Sequence, residues 1–538
     1  MPSPSSPVTL AAGADAGTPA ARPPVPLLRT LVFLGGFASI GTELATSRLI
    51  APYFGSSTFI WATLIGLTLL FLSLGYWLGG RLADRRPSPA LLYSLTAAAG
   101  VAVVLVPALA RPILGTALAA FARYDVGAFY GALVGTLLLT AVPVTLLGFV
   151  SPFALRLSIA DVATAGNTAG GLYALSTVGS IAGSFLPVLL LIPLVGTART
   201  FAALGLALVV PSAVALLLLR AGRPAVAALA AGALACLATV GTASGQIRPP
   251  DRGTLLAERE STYNYIQVVE QDGRNLLILN DGHAVHSIYS PDQPLTGGPW
   301  DYASIAPLVV DGAGPGSLRR AMLIGLAGGT MARELTEAWG PVPIDGVEID
   351  PEIVEVGREW FGLGDLPNVN VLVADGRYAL RASDQTYDLI GVDAYRQPYI
   401  PFQLTTREFF REIAQHLSPN GVAMVNAGRT ETDFRLVEVV SATMRSVFAH
   451  VYVVDVPGYT NSIVIGTNAP SAIGNLTANA AKFPADSPVR TVAGWAATEG
   501  RPRSVEPGGP VYTDDHAPVE WLVDRIIVDA ARQLIGPP

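Results

Sequence analysis

The chain has 538 residues, of which 51% are hydrophobic and only 14% are charged, a composition too apolar for an ordinary soluble protein of this length. Its formal net charge is −7 and no basic stripe occurs, which argues against nucleic acid as a partner. The single cysteine, Cys236, excludes an internal disulfide and a cysteine-based zinc site.

The first 26 residues are rich in Pro, Ala and Ser and are predicted to form a disordered tail. They lack the basic start and early apolar core of a secretory signal. Residues 27–243 are predicted to form a transmembrane helical domain, because each apolar stretch approaches the ~20 residues that a bilayer-spanning helix needs. About seven spans are expected, at residues 29–50, 57–80, 88–110, 127–150, 167–195, 197–219 and 223–243. This pattern predicts a multi-pass protein of the cell membrane, in contact with the lipid bilayer.

Arginines between the spans favour a cytoplasmic N-terminus, with the densest clusters in GGRLADRR (79–86) and at Arg220 and Arg223. Seven spans from that start would place residue 244 onward outside the cell. The chemistry predicted below needs a cytosolic small molecule, so the catalytic domain is expected to be cytoplasmic. We therefore expect an eighth or re-entrant crossing, and residues 111–125 form either part of that crossing or an interfacial helix.

The periodicity changes near residue 258. The run STYNYIQVVEQDGRNLLILND alternates apolar and polar residues around QDGR, which predicts a β-hairpin in a small β subdomain over residues 255–310. Short apolar strands then alternate with amphipathic helices, which predicts an α/β doubly wound, Rossmann-like domain over residues 318–470. The strands are expected at 321–326, 343–349, 370–374, 387–392, 421–427, 451–456 and 462–467, the last two as an antiparallel edge pair. The helices are expected at 330–339, 351–360, 376–383, 405–417 and 432–448, and residues 471–538 form a C-terminal helical and loop extension.

A glycine-rich turn follows the first strand of this domain, in AMLIGLAGGTMARE. The turn contains Gly325, Ala327, Gly328 and Gly329, which let the backbone approach a ligand at a helix N-terminus. Glu348 ends the second strand about twenty residues after Gly325, where an acid can accept hydrogen bonds from both ribose hydroxyls. Together they predict a nucleoside site. Dinucleotide binding is less favoured because the full G-x-G-x-x-G pattern is missing.

Two further acids follow the third and fourth strands. Asp375 and Gly376, in ADGR, are placed to meet an adenine amino group, although Asp375 serves equally well as a helix N-cap. Asp393 ends YDLIGVD at the centre of the carboxyl edge, which suits a general base or an ammonium-binding group. The alternative for Asp393 is another cap or a loop hydrogen bond.

The remaining polar residues give weaker signals. The five histidines have no metal-ligand spacing, so no metal is expected. In TDDHAPVE (513–520), the acids Asp514, Asp515 and Glu520 belong either to a surface turn or to an amine pocket.

The order of these motifs resembles the spermidine synthase (polyamine aminopropyltransferase) family, in its membrane-fused bacterial branch. STYNYIQV and LILNDG are similar to the family's small N-terminal β-domain, and LIGLAGGTMARE, VEID, ADGR and YDLIGVD follow in the family's order. The resemblance covers about residues 258–466, and TDDHAPVE is similar to the tail of the fused forms.

The resemblance implies transfer of an aminopropyl group from decarboxylated S-adenosylmethionine to a small-molecule amine such as putrescine, in polyamine biosynthesis. Glu348 would hold the ribose, Asp375 the adenine, and Asp393 would accept the proton of the attacking amine. Substrate contacts are expected from the tyrosines and polar residues near the site, namely Tyr263, Tyr302, Tyr395, Gln397, Asp514 and Asp515.

The sequence departs from the family pattern on the acceptor side. Arg396 stands where the family's second acid would bind the acceptor's ammonium, and an Arg repels a cationic diamine at close range. The glycine turn also lacks the family's acid near the donor amine. An S-adenosylmethionine-dependent methyltransferase on a membrane-associated substrate therefore remains an alternative, as does a non-catalytic polyamine or nucleoside sensor or transporter. The oligomeric state, including a homodimer, is left open.

Overall fold

The computed structural model describes residues 25–54, 58–122, 127–159, 161–243, 248–280, 284–395 and 399–535. The predicted disordered tail therefore lies almost entirely outside the described residues.

The N-terminal half is a bundle of apolar helices. Seven helical segments of the described chain are long and apolar enough to cross a membrane by length and composition, the number predicted. The helices are α1 Val25–Phe54, α2 Thr58–Arg85, α3 Pro89–Ala122, α4 Gly127–Gly148, α5 Val150–Ser158, α6 Ala165–Leu186, α7 Ile192–Val195, α8 Thr197–Leu218 and α9 Gly222–Ala243. The expected eighth crossing at 111–125 is wrong for its described part, because residues 111–122 continue α3 without a break.

Glycines allow the closest helix packing in this bundle. A Cβ on Gly179 of α6 would lie 2.0 Å from the carbonyl oxygen of Phe33 of α1, and one on Gly183 would lie 2.3 Å from that of Phe37. These glycines are four residues apart, so they share one face of α6. The backbones of α1 and α6 therefore meet with no side chain between them.

A small antiparallel sheet begins the soluble half. Its strands pair in chain order and are β1 Thr254–Glu260, β2 Tyr265–Gln271, β3 Arg274–Leu279 and β4 Val285–Tyr289. The hairpin predicted at QDGR is confirmed, since Gln271 pairs with Arg274 and the two turn residues, Asp272 and Gly273, both have positive φ. Positive φ at both central residues is the type I′ geometry that fits the twist of a hairpin.

The larger sheet has eight strands in the order β12-β10-β11-β9-β8-β5-β6-β7. Its strands are β5 Ala321–Ile324, β6 Ile344–Glu348, β7 Val369–Val373, β8 Tyr387–Val392, β9 Leu417–Gly428, β10 His450–Asp455, β11 Asn461–Thr467 and β12 Arg503–Ser504. The helices of this half are α10 Thr330–Trp339, α11 Pro351–Trp360, α12 Gly376–Ala382, α13 Arg407–His416, α14 Arg435–Arg445, α15 Asn475–Ala480, α16 Pro488–Thr498 and α17 Val519–Ile535. Strands β5 to β9 run parallel, and β10 and β11 form the predicted antiparallel pair, although β12 rather than β10 lies at the edge.

Both faces of this sheet are covered, which explains its continuous apolar runs. Along β5, Leu323 packs into one core while Met322 and Ile324 pack into the other. The chain proceeds outward from β5 through β6 to β7, then returns to place β8 on the opposite side of β5. The strand order therefore reverses between β5 and β8, where a ligand crevice is expected at the carboxyl edge.

The two halves of the protein contact each other on one side of the helical bundle. Arg248 donates to the carbonyl oxygen of Pro52 near the end of α1 at 2.6 Å, and Thr197 at the start of α8 donates to the Glu260 carboxylate at 3.0 Å. Arg48 of α1 also donates to the carbonyl oxygen of Thr262. Helix α17, near the end of the chain, contacts α4.

Candidate active site

Two adjoining cavities lie at the carboxyl edge of the large sheet. The first, of about 550 Å³, is lined by the ends of β5, β6, β7 and β8 and by the turn between β1 and β2. The second, of about 440 Å³, lies toward β9, β11 and α17. Four residues line both cavities: His286, Ala327, Asp393 and Tyr395. The two cavities therefore share a wall at the point where the strand order reverses.

The turn after β5 brings backbone to the floor of the first cavity. Gly325 has φ +90°, and a Cβ there would lie 2.4 Å from the carbonyl oxygen of Asp393, so only glycine fits. The backbone N–H of Ala327, itself at φ +48°, donates to Glu348 at 2.9 Å. Gly325 and Ala327 line the first cavity as predicted for the nucleoside side.

Gly328 and Gly329 have packing roles instead. A Cβ on Gly328 would lie 3.0 Å from both Phe361 and Ser287, and its N–H donates to the Ser287 hydroxyl. Gly329 caps α10 in the left-handed conformation. Neither residue is among those that line the two cavities, so the expected ligand contact from this part of the turn is replaced by helix–strand packing.

Glu348 lies at the end of β6, buried, with its carboxylate turned to the first cavity. Burial raises the pKa of Glu348 to about 7, against the opposing effect of the N–H groups of Ala327 and Asp350 that donate to it. Both carboxylate oxygens accept backbone N–H groups, and Ile349 provides a third, which fixes the group. A carboxylate has about four acceptor sites, so it can still accept from a ligand hydroxyl.

Asp375 is the N-cap of α12, as its sequence position suggested, and it also lines the first cavity, where its contact with an adenine stays a prediction. Its carboxylate accepts from the N–H of Tyr378 at 3.0 Å. The next residue, Gly376, lines the same cavity and packs so tightly that a Cβ would lie 2.3 Å from Ile324.

Asp393 is the only acidic residue among those described as lining both cavities. Its carboxylate accepts a hydrogen bond from the Asn426 amide at 2.8 Å and another from the Trp300 side chain. Burial raises the pKa of Asp393 to about 7, and these two donors oppose the rise. A carboxylate with a pKa near neutrality can take up and release a proton at physiological pH.

Of the three tyrosines predicted to contact substrate, two line a cavity and one does not. Tyr395 lines both cavities, and its hydroxyl donates to the carbonyl of Asn426 while accepting from the N–H of Gly428. Tyr263 lines the first cavity. Tyr302 does not belong to the site: its ring is buried in one of the two cores flanking the sheet and lines neither cavity.

The acids of TDDHAPVE are also placed away from the cavities. Asp514 forms an ion pair with Arg377 at 2.7 Å and accepts from the Thr406 hydroxyl, while Asp515 is exposed. The expectation that they bind substrate is wrong in this geometry, although Glu520 from the same segment lines the first cavity. Gln397 and Arg396 lie outside the described residues.

Several lining residues were missed by the sequence analysis. His286 comes from β4, Trp300 from the 3₁₀ segment Pro299–Ser304, and Tyr459 from the β10–β11 turn. Asn426 and Arg429 follow the apolar run of β9, so the rule that ligand groups follow parallel strands would have found them. Among the described residues, no group of three or more His, Cys, Asp or Glu is placed to hold a metal ion.

Comparison with known proteins gives consistent matches. The family model "Spermine/spermidine synthase domain" matches residues 307–473. A polyamine aminopropyltransferase of Mycobacterium tuberculosis is 30% identical over 454 residues, covering 78% of this chain and 83% of the relative. This alignment is longer than the whole chain beyond residue 247, so the similarity extends into the helical half.

Other matches cover the soluble half or less. A probable polyamine aminopropyl transferase of Bifidobacterium longum is 34% identical over 304 residues, covering 52% of this chain and 66% of the relative. The crystal structure of a probable spermidine synthase from Corynebacterium glutamicum is 23% identical, with a TM-score of 0.38, and covers 47% of this chain and 96% of that chain. A human eEF1A lysine and N-terminal methyltransferase is 28% identical over 155 residues, or 27% of this chain and 22% of the relative.

Proposed function

The chain belongs to the spermidine synthase (polyamine aminopropyltransferase) family, and from this premise we propose that it transfers an aminopropyl group from decarboxylated S-adenosylmethionine to an amine. The observation that carries the proposal is the position of Asp393, which lies in the wall between the two cavities. A donor in the first cavity and an acceptor in the second would meet at this carboxylate.

The first cavity fits the nucleoside part of the donor. Glu348 offers a fixed carboxylate for the ribose hydroxyls, and Asp375 offers one for the adenine amino group. Gly325 and Gly376 line this cavity with backbone alone, and the protein atoms packed against them leave no room for a side chain at either position. The donor's sulfonium would then point toward Asp393.

The proposed reaction is a direct displacement. The nitrogen lone pair of the acceptor attacks the carbon bound to sulfur, a new C–N bond forms, and the C–S bond breaks with its electron pair moving to sulfur. Methylthioadenosine leaves as a neutral thioether. Asp393 takes the proton that the amine must lose, because a protonated amine has no lone pair with which to attack. Holding the two reactants on either side of one carboxylate also provides alignment.

The helical half supports a membrane-anchored enzyme. Seven segments of the described chain are apolar and long enough to cross a bilayer. We place the soluble half in the cytoplasm, because a donor made from S-adenosylmethionine is a cytosolic metabolite.

The proposal is tested with the full-length protein in detergent, supplied with decarboxylated S-adenosylmethionine and a mixture of amines. Product formation is followed by mass spectrometry. Asp393→Asn keeps the shape of the site but cannot accept the proton, so we expect turnover to fall by about 10²–10⁴-fold. Donor binding, measured by calorimetry, should be retained. Glu348→Gln is the complementary variant and should weaken donor binding by about 10–100-fold through loss of charge-assisted hydrogen bonds.

Two results would contradict this function. Full activity in Asp393→Asn would remove the proton-accepting role. Release of S-adenosylhomocysteine from S-adenosylmethionine, with no methylthioadenosine from the decarboxylated donor, would make the protein a methyltransferase.

A further inference from the structure

The second cavity has an acidic end and a basic end. Asp393 lies at the wall shared with the first cavity, and Arg429 lies beyond the end of β9, three residues after Asn426. Three residues of extended chain span about 10 Å. Arg252 is a second cation in the lining, on the exposed surface.

Side-chain and backbone hydrogen bonds connect the two ends. Asn461 donates to the Asn426 side-chain oxygen at 2.9 Å, and Asn426 donates to Asp393 at 2.8 Å. The backbone carbonyl of Asn461 in turn accepts from Arg429 at 3.3 Å. The strand ends β9 and β11 therefore fix Asp393 and Arg429 relative to each other.

Arg429 lines the cavity, and its guanidinium lies 5.1 Å from the centre of the Phe434 ring. Its guanidinium donates to three backbone carbonyls, those of Asn461, Thr430 and Tyr459, at 3.0 to 3.3 Å. No carboxylate among the described residues pairs with it. Because a guanidinium has five N–H donors, two remain for a ligand. Backbone carbonyls orient the group without neutralising it.

Acids are scarce around this cavity. Of the described residues that line it, only Asp393 is acidic. Asp301, adjacent to the lining residue Trp300, is fully buried, accepts from Thr296 and Gly297, and is not among the residues that line the cavity. A diamine with a positive charge at each end would place its second ammonium near Arg429 without a counter-charge, which is unfavourable.

We propose that the acceptor is an amine that also carries an anionic group, a carboxylate or a phosphate, with the amine at Asp393 and the anion at Arg429. This inference rests on the proposed aminopropyl transfer and names its substrate class. A guanidinium binds either anion through paired N–H groups. The anion takes no part in the bond changes. The acceptor nitrogen bonds to the carbon of the aminopropyl group, the electron pair of the C–S bond stays on sulfur, and the proton passes to Asp393.

Two sources can supply this chemistry, a soluble amino acid or phosphoamine and the head group of an aminophospholipid. Helix α17 connects the cavity to the helical half, since it lines the cavity through Val523, Ile526 and Ile527 and also contacts α4. The experiment therefore includes both sources.

The test uses the full-length protein in lipid nanodiscs, with decarboxylated S-adenosylmethionine as donor. The acceptors are putrescine, 4-aminobutyrate, phosphoethanolamine and vesicles containing phosphatidylethanolamine. Putrescine and 4-aminobutyrate differ mainly in whether the far end is an ammonium or a carboxylate. We expect kcat/KM to be at least about tenfold higher for an anionic amine than for putrescine, the size of one charge-assisted contact. If the protein modified phosphatidylethanolamine in the vesicles and none of the soluble amines, the acceptor would be the lipid head group.

Variants of the basic end sharpen the test. Arg429→Gln should reduce the preference for the anionic amine about 10–100-fold through KM, and Arg429→Lys should restore part of it. Arg252→Gln, on an exposed side chain, provides a second variant that does not disturb the fold. Arg490→Gln, an exposed arginine of α16 that lines neither cavity, is the matched control and should leave the preference unchanged.

The outcomes separate this inference from the proposed function. Methylthioadenosine release with putrescine preferred over every anionic amine would overturn the acceptor class and leave aminopropyl transfer intact. A preference for the anionic amine that neither Arg429→Gln nor Arg252→Gln alters would overturn the role of the basic end. No methylthioadenosine with any acceptor would overturn both.

Discussion

At the scale of single residues, the two buried carboxylates of the site are held in different ways. Burial raises the pKa of both Glu348 and Asp393 to about 7. The Glu348 oxygens accept backbone N–H groups from Ala327 and Asp350, whereas Asp393 depends on side chains, those of Asn426 and Trp300. The proton affinity of Asp393 can therefore be changed by mutation without moving the backbone.

The ionisation of Asp393 should determine how turnover depends on pH. Asp393 acts as a base only when ionised, so kcat should rise with pH along an acid limb set by the pKa of Asp393 in the substrate complex. In the free protein, burial raises that pKa to about 7. The Asn426 amide favours the ionised form, so removing it raises the pKa further. Asn426→Ala should therefore shift the acid limb of the kcat profile to higher pH.

The profile is measured from pH 5.5 to 9.5 at saturating donor and acceptor. Asn420→Ala is the matched control, because Asn420 lies exposed near the other end of the same strand. A limb that stays in place or moves to lower pH in Asn426→Ala would contradict the assignment of this limb to Asp393.

The acids that end parallel strands could be predicted from the sequence, because strand ends converge at one edge of a sheet whatever the rest of the chain does. Asp393, Glu348 and Asp375 were found in this way. Trp300 and Tyr302 could not be told apart, since both lie in one short 3₁₀ segment and both pack into the same core, and only the packing decides that Trp300 also lines a cavity while Tyr302 does not. His286 was missed because β4 belongs to the smaller sheet.

At the scale of elements, the segment before α17 is fastened to the helices of the large domain. Arg377 of α12 pairs with Asp514 and with Glu412 of α13, and Thr406, the N-cap of α13, also donates to Asp514. The Arg377 guanidinium holds the pKa of Asp514 below its ordinary value. Asp514 thus joins the C-terminal segment to two helices.

We therefore expect Asp514→Asn to lower the free energy of unfolding by about 0.2–1 kcal/mol, because the Asp514 side chain is 44% exposed and solvent screens its ion pair with Arg377. The loss should be complete above the ordinary pKa of an aspartate and disappear as the pH falls through the depressed pKa of Asp514, where the wild-type carboxyl is also protonated. Denaturant unfolding at pH 7 and at low pH measures both effects.

Asp515→Asn is the control for this prediction, because the Asp515 carboxyl is exposed and, unlike that of Asp514, forms no ion pair with the described residues. It should leave the stability unchanged. If Asp514→Asn instead raised the KM for the amine and left the stability intact, Asp514 would be a substrate ligand after all.

The predicted boundaries of helices and strands agree with the observed ones where a local sequence signal determines them. The helix expected at 405–417 begins at Arg407 because Thr406 is its N-cap, accepting from the N–H of Phe409. Strand β8 matches its expected bounds because all six of its residues are buried. The short β12 was not expected, since two residues carry no periodicity and pair only through their neighbour β10.

At the scale of the whole molecule, the soluble half contacts one side of the helical bundle. It touches the end of α1 and the start of α8, whereas α2 ends and α9 begins on the opposite side. The arginines of the α2–α3 and α8–α9 turns therefore lie away from the catalytic domain. If the soluble half is cytoplasmic, as the proposed donor requires, these arginines face outward and the positive-inside pattern is reversed.

This conflict can be tested by thiol labelling in right-side-out vesicles. The chain has a single cysteine, so Cys236→Ser gives a clean background. Two variants are made in that background, Arg86→Cys and Asp515→Cys. A membrane-impermeant maleimide should label the first in intact vesicles and the second only after the membrane has been permeabilised. The reverse pattern would place the catalytic domain outside and separate it from its proposed donor.

The shared wall between the cavities has a consequence for kinetic order. Ala327, Asp393 and Tyr395 each border both cavities, so the two substrates can occupy the protein together with no covalent protein intermediate between them. Initial-rate plots against one substrate at fixed levels of the other should then intersect, because both must bind before either product leaves. Parallel lines would mean that the aminopropyl group is first transferred to the protein as a covalent intermediate.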